Sequence, residues 1–431
     1  MVASVLATFF VLASAWIGCT AEDELSLQAA MTPVREFPLN STPKSVDLYS
    51  ALSSMTILSC ELIRHFDYPC QISHVTTEDG YVLEVERVPW GRQDNATSPN
   101  EQNGTLRHPV LLLPVFMSAS DMWFFNYPRQ SLGFLFADAG FDVWLMNTRD
   151  IARYANHTTL SMDDPEYWKF SRSGEARRAN NGTKGEFCGS CWKEVGARHS
   201  GVTATLVLLS TRPEYNDKVD LVVAYGPVAN ASHIGPPMSL MVPFTPLIAR
   251  MIYPFSRAGY LETDKGLSEF LAKVCVTFTG EACSLSITLT LFSSPYQLNE
   301  TRMPVYVGHY PVGTTIQNVM HLYQIYKAKD FVMYDHGAKE NRKRYGQPGP
   351  PAYPLERITA PWAIFSSEGD RIANPRDVAD LVARLGPRVL MHRVVPHKAF
   401  RHMDFGIGYR ANEFLHDIAI DVIKNYTDQS I

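Results

Sequence analysis

The sequence carries no surplus of positive charge. Its 39 Lys and Arg stand against 44 Asp and Glu, a formal net charge of −5, and the sequence pI is about 6.2. That balance removes the electrostatic case for nucleic acid or an anionic membrane surface as partner. Charged residues make up only 19% of the chain and hydrophobic ones 45%, which excludes wholesale disorder and allows a large core. No internal repeat or low-complexity tract interrupts the 431 residues, so solenoids and repeat arrays are excluded. That length suits one large α/β domain with an insertion. No Lys or Arg precedes the apolar N-terminal stretch, and beyond it no segment reads as able to cross a bilayer.

What is present begins at the N-terminus. Residues Val2 to Ile17 are almost all apolar or small, and Cys19-Thr20-Ala21 forms a small-residue cleavage site ahead of Glu22 and Asp23. Residues 1–21 therefore read as a secretory signal peptide. Residues 22–58, polar and mixed with Pro33, Pro38 and Pro43, read as a leader or pro-segment. Asn-x-Ser/Thr sequons at Asn40, Asn95, Asn103, Asn156, Asn181, Asn230, Asn299 and Asn425 agree with secretion, and any that are used must lie on the surface. Of the seven cysteines, Cys19 leaves with the signal peptide. Cys60, Cys70, Cys188, Cys191, Cys275 and Cys283 remain as local pairs, for which disulfides are the default in an oxidising compartment. Cys188-Gly189-Ser190-Cys191 has the look of a zinc or redox pair. Structural zinc needs four ligands, however, and Cys275 with Cys283 has the wrong spacing for a second knuckle, so no metal is expected.

Along the chain, Ile72 to Thr77 and Tyr81 to Val88 read as strands joined by the turn Glu78-Asp79-Gly80. The apolar run in His108 to Leu113 fits a strand buried on both faces. Leu132 to Ala139 reads as a helix ending at Gly140, and Phe141 to Met146 as the next strand, a βαβ unit. The alternation recurs in a helix over Val202 to Ser210 and a strand over Val219 to Tyr225. It returns in a strand over Pro361 to Phe365, a helix over Arg376 to Leu385, a strand over Val389 to Val395 and a helix over Glu413 to Lys424. Such alternation implies a mostly parallel, doubly wound sheet. Residues 231–352 break the rhythm with helix-like apolar runs, Leu240 to Ile252 and Ile316 to Tyr326 among them, and read as an inserted cap. The core is then expected in two parts, 59–230 and 353–431.

Several stretches resemble the acid lipases, the family of gastric and lysosomal acid lipases. They are Val75 to Leu83, Ala137 to Leu145 with Asn147-Thr148-Arg149, and His309 to Asn318. Asp370 with Asn374 to Val378 and His402-Met403-Asp404-Phe405 complete the set. The resemblance spans roughly residues 60 to 424. It implies an α/β-hydrolase fold with an inserted helical cap, a Ser-His-Asp triad acting on ester bonds of neutral lipids, and a secreted or lysosomal protein that needs no cofactor. It also implies a Cys275–Cys283 disulfide in the cap and lipid contact for Leu240 to Ile252 and Val276 to Phe292, which otherwise read as cap core. Asp370 falls just past an expected strand and His402 after the last one, where the triad's acid and base belong.

The nucleophile region departs from the pattern. No Gly-x-Ser-x-Gly occurs, and the nearest match is Arg198-His199-Ser200-Gly201-Val202. Without a gap the nucleophile position falls on His199. If one residue after the serine is lost, it falls on Ser200, the favoured reading, with Arg198 and Val202 crowding the glycine positions. The family's His-Gly pair after the buried strand is Pro114-Val115 here, which puts the oxyanion donors on the backbone N–H groups of Phe116 and Gly201. Ser171 to Val195 has neither period nor apolar content. It reads either as true divergence or as a frame or splice artefact. Two functions follow: a neutral-lipid ester hydrolase using Ser200, His402 and Asp370, or a lipid-binding or storage glycoprotein that keeps the fold without turnover.

Overall fold

The computed structural model describes residues 59–77, 79–92, 101–102, 105–170, 197–198, 200–263, 266, 268, 293–294 and 297–428. The signal and leader segments, His199, the Cys188/Cys191 and Cys275/Cys283 pairs, the apolar run 276–292, and the sequons at Asn40, Asn95, Asn103 and Asn181 lie outside the described residues.

Helix α1 (Ser59–His65) opens the described chain and is stapled to the following strand's entry by the Cys60–Cys70 disulfide. Strands β1 (Gln71–Thr76) and β2 (Tyr81–Val88) form the expected antiparallel hairpin. Gly80 turns it at φ +92°, and a Cβ there would lie 2.7 Å from the His157 ring, so the turn needs glycine for both conformation and space. Strand β3 (Pro109–Leu112), helix α2 (Leu132–Asp138) and strand β4 (Asp142–Met146) make the βαβ unit, with β3 parallel to β4. Strand β5 (Ala155–His157) pairs antiparallel with β2. The spatial order of this block is β1-β2-β4-β3.

The second block is parallel throughout. It contains β6 (Ala197–Arg198), helix α3 (Ser200–Thr211) and β7 (Val222–Tyr225). Helices α4 (Thr245–Ile252) and α5 (Ile316–Ala328) come next, in contact with each other. Strand β8 (Trp362–Ser366), helix α6 (Pro375–Leu385), β9 (Val389–Val394) and helix α7 (Asp417–Asp428) complete it. The strand order is β9-β8-β7-β6. Among the described residues, 231–352 contribute α4, α5 and a two-residue ladder between Tyr260–Leu261 and Thr314–Thr315, and no strand of either main block.

Alternate residues of β7 and β8 enter opposite cores, which is what a sheet covered on both faces requires. Val222, Ala224, Trp362 and Ile364 pack with Val202 and Leu206 of α3 and with Val378 and Leu381 of α6. Val223, Tyr225, Ala363 and Phe365 pack with β3, β4, α2 and α7. Among the described residues the two blocks share no strand ladder. They approach where Gly201 meets Leu113, just past β3: a Cβ at 201 would lie 2.5 Å from the Leu113 Cβ.

Two expectations change. The last helix was expected over Glu413 to Lys424; instead a π turn, Asn412–His416, precedes α7 and carries the buried His416 ring over Tyr225. Beyond the N-terminal stretch, Met238–Phe255 is helical for 18 residues and, by length and composition, long and apolar enough to cross a membrane, against the sequence expectation. Its prolines mask it in the sequence. In the structure Pro243, Pro246 and Pro254 each stand in the first turn of a successive helical piece, where the missing N–H removes no bond.

Candidate active site

The acid is delivered by the turn after β8. Ser367 Oγ donates to the Phe400 carbonyl at 2.5 Å and accepts from Gly369 N at 3.1 Å. A Cβ on Gly369 would lie 2.4 Å from the Lys398 carbonyl and 2.7 Å from that of Phe400, so only glycine lets the acid loop lie against the base loop. Asp370 follows, 2% exposed. Its Oδ1 accepts from Ile372 N at 2.8 Å and Ala373 N at 2.9 Å, which fixes the carboxylate rotamer and leaves Oδ2 directed to His402 Nδ1 at 2.8 Å. His402 is buried as well. A carboxylate on Nδ1 fixes the imidazole tautomer and leaves Nε2 as the basic nitrogen.

The base loop has a second anchor. Asp404, fully buried, accepts from Arg401 N at 2.7 Å, from Ser294 N at 3.0 Å and from the Ser293 hydroxyl. Burial drives its pKa up to about 7 against the lowering effect of those donors. In the sequence Asp404 stood only as a letter of a motif, with nothing to mark it as the clamp on the His402 loop.

The nucleophile half is framed by β6 and α3. Arg198 pairs with Tyr225 in the parallel ladder, and α3 begins at Ser200. Val202, expected from the sequence to stand at a glycine position of the elbow, lies inside α3. It is the third helical residue and lies fully buried against Val222 and Ala224. The position intolerant of a Cβ is Gly201, against Leu113. The other half of the frame is the loop after β3. Phe116, half-buried, lies in a turn with Met117, which adopts φ +58° although it is not glycine. The Met117 carbonyl accepts from Val312 N at 2.8 Å.

Behind this loop lies a buried polar network that composition and spacing did not reveal. Ser120 N donates to Asn147 Oδ1 at 2.9 Å, and Ser120 Oγ donates to Glu86 Oε2 at 2.6 Å. Glu86 sits on β2 at zero exposure, and burial pushes its pKa up to about 7, partly offset by Ser120 and Ser59. Asp121 meets Arg153 Nη2 at 2.8 Å and His309 Nδ1 at 2.7 Å. Burial opposes its charge, but Arg153 and His309 outweigh burial and hold the carboxyl below its ordinary range. Beyond Arg153 is a cavity of about 720 Å³ lined also by His74, Glu84, Tyr154, Met162 and Arg257; neither Asp370 nor His402 lines it.

The sequon positions divide by burial. Asn156 and Asn425 are exposed. Asn230 and Asn299 are buried, their side-chain carbonyls accepting from Ser232 N and Thr301 N, so they do not meet the surface requirement in this fold.

A largely parallel sheet that presents a His-Asp pair from the loops after its adjacent strands β8 and β9 defines the class: an α/β-hydrolase. Residues 60–127 match the family model described as a partial alpha/beta-hydrolase lipase region. Human lipase member N is 31% identical over 376 residues, which cover 85% of this chain and 91% of that protein. Bovine gastric triacylglycerol lipase is 30% identical over 361 residues, covering 80% and 85%. Among solved structures, the monoacylglycerol lipase of Paleococcus ferrophilus aligns with a TM-score of 0.41 at 18% identity, covering 74% of this chain and 96% of its own. The chain belongs to the acid lipase-like family, whose members are lipid ester hydrolases.

Proposed function

We propose that the protein is a secreted or lysosomal hydrolase of carboxylic esters in neutral lipids, triacylglycerols or sterol esters, acting through Ser200, His402 and Asp370. The observation that carries this reading is the buried Asp370–His402 hydrogen bond at 2.8 Å, with the acid's other oxygen held by two backbone N–H groups. A His-Asp pair with its tautomer fixed in this way is the proton-handling half of acyl transfer. Ser200 would attack the carbonyl, His402 Nε2 would take its proton and return it to the leaving alcohol, and the Phe116 and Gly201 N–H groups would hold the oxyanion. No cofactor enters the reaction. The Cys60–Cys70 disulfide suits an oxidising compartment.

The lipid surface would be met by the stretch 238–255. Leu240, Phe244, Leu247, Met251 and Phe255 are all exposed and recur at helical spacing along one face. Aligned exposed apolar side chains of this kind mark an interaction surface.

One observation favours the rival, a lipid-binding glycoprotein without turnover. Gly201 is the glycine at the close approach. If it is the family's second elbow glycine, the nucleophile position two residues earlier is His199. Fluorophosphonate labelling with turnover of a short-chain ester at pH 5 and pH 7 decides. Labelling that Ser200→Ala abolishes supports the enzyme; no labelling of the wild type overturns it.

A further inference from the structure

The turn that would offer the Phe116 N–H contains a residue ill suited to it. Met117 sits at φ +58°, and the left-handed region costs a non-glycine residue about 1–2 kcal/mol. Such a conformation persists only where its surroundings over-determine it. Two backbone bonds hold the turn: Ser118 N to the Val115 carbonyl at 3.1 Å, and Val312 N to the Met117 carbonyl at 2.8 Å. The second comes from a distant segment, so something must fix that segment against the loop. Val312 packs with Ala119, Ile151 and Tyr154 in a small buried cluster. Three residues before it, His309 is 2% exposed and bonds Asp121, which has zero exposure and lies two residues past Ala119. Arg153, from the same turn as Ile151 and Tyr154, bonds the same Oδ2 atom. A single carboxylate oxygen thus gathers the 309–312 segment and the 152–154 turn onto the loop after β3.

We propose that Asp121 is a positioning residue for the oxyanion loop: through His309 and Arg153 it seats the segment whose Val312 N–H locks the Met117 turn and so aims the Phe116 N–H. The inference rests on the reading of that N–H as an oxyanion donor. Asp121 itself touches no substrate. Asp121→Asn keeps the size but removes the charge facing Arg153, and His309→Gln breaks the other link.

The test uses the full chain. Hydrogen exchange by mass spectrometry is read over 113–119 and 309–313, with 362–373 as control, and ester kinetics and fluorophosphonate labelling are run in parallel. Both variants are expected to exchange about tenfold faster over the two loop segments and unchanged over the control. The kcat should fall about 100-fold at unchanged KM, the signature of a lost donor rather than lost binding. Unchanged exchange over 113–119 in the variants that fold overturns the proposal. So does faster exchange with undiminished kcat. If Asp121→Asn does not fold, His309→Gln carries both readouts. If the wild type neither labels nor turns over, the catalytic reading has failed, and the exchange experiment alone decides whether Asp121 seats the loop.

Discussion

The two halves of the site are built to different standards. The proposed acid–base half hangs from the parallel strands β8 and β9, with one glycine at a backbone contact, and both carboxylate oxygens of Asp370 are engaged. The half proposed to supply the nucleophile and oxyanion donors hangs from β3 and β6, which among the described residues share no ladder. There a methionine takes the left-handed turn, braced by a buried polar network. The first half joins two successive core loops and adds a separate tie of Asp404 to Ser293 and Ser294, whereas the second gathers three segments on one carboxylate oxygen of Asp121. Separate ties fail one at a time, whereas a brace on one atom fails when that atom is lost.

The largest expected effect tests the first half. Asp370→Asn should leave the fold intact and lower kcat by about 10⁴-fold through the wrong imidazole tautomer, measured on a short-chain ester. A fall under tenfold would mean that the tight half does no catalysis, and the comparison would lose its functional meaning.

Next is pH. Glu86, in the braced half, and Asp404, beside the base, both have folded pKa values pushed up to about 7 by burial. The folded state therefore holds protons that the unfolded chain releases nearer pH 4. The stability from each group is full below the unfolded value and lost as pH rises through 7, on the order of 3 kcal/mol apiece. In urea midpoints from pH 4 to 8, Glu86→Gln and Asp404→Asn should each lose less stability with rising pH than the wild type. A wild-type slope that neither variant changes contradicts both assignments.

Smaller again is the effect of filling the two tight glycine sites. Gly369→Ala meets two backbone carbonyls, whereas Gly201→Ala meets one atom at comparable range, the Leu113 Cβ, which moves only with its own backbone. Both should destabilise, by about 1–3 kcal/mol, with Gly369→Ala the worse in thermal melts. The reverse order would say that the braced half is the less forgiving. Least of all, Phe244→Ser with Leu247→Ser should change stability by only about 0.5 kcal/mol, because both side chains are exposed. The same pair should weaken binding to triacylglycerol emulsions; undiminished binding would place the lipid contact elsewhere.

Much of the fold was legible because period and punctuation are local. The β1–β2 hairpin and the βαβ unit, whose helix ends at Gly140, follow from turn and cap residues a few positions apart, and α6, read from Arg376, begins one residue earlier at Pro375. Asp370 and His402 were singled out by their place, Asp370 just past one expected strand and His402 in the loop after the last, and the structure places the two side chains 2.8 Å apart. The extent of the 238–255 helical stretch was hidden by its prolines.

By itself, then, the sequence determined the fold class and the family, since both are written in residues adjacent along the chain, and it singled out Asp370 and His402 as the proposed acid and base. Only the tertiary structure decided that Gly201 lies in close approach to Leu113. It alone showed that Asn230 and Asn299 are buried, and that Glu86, Asp121, Arg153 and His309 converge behind one loop. Asp121 and His309 are separated by 188 positions. Packing brings such residues together through the burial of whole elements, and no spacing rule along the chain encodes that meeting.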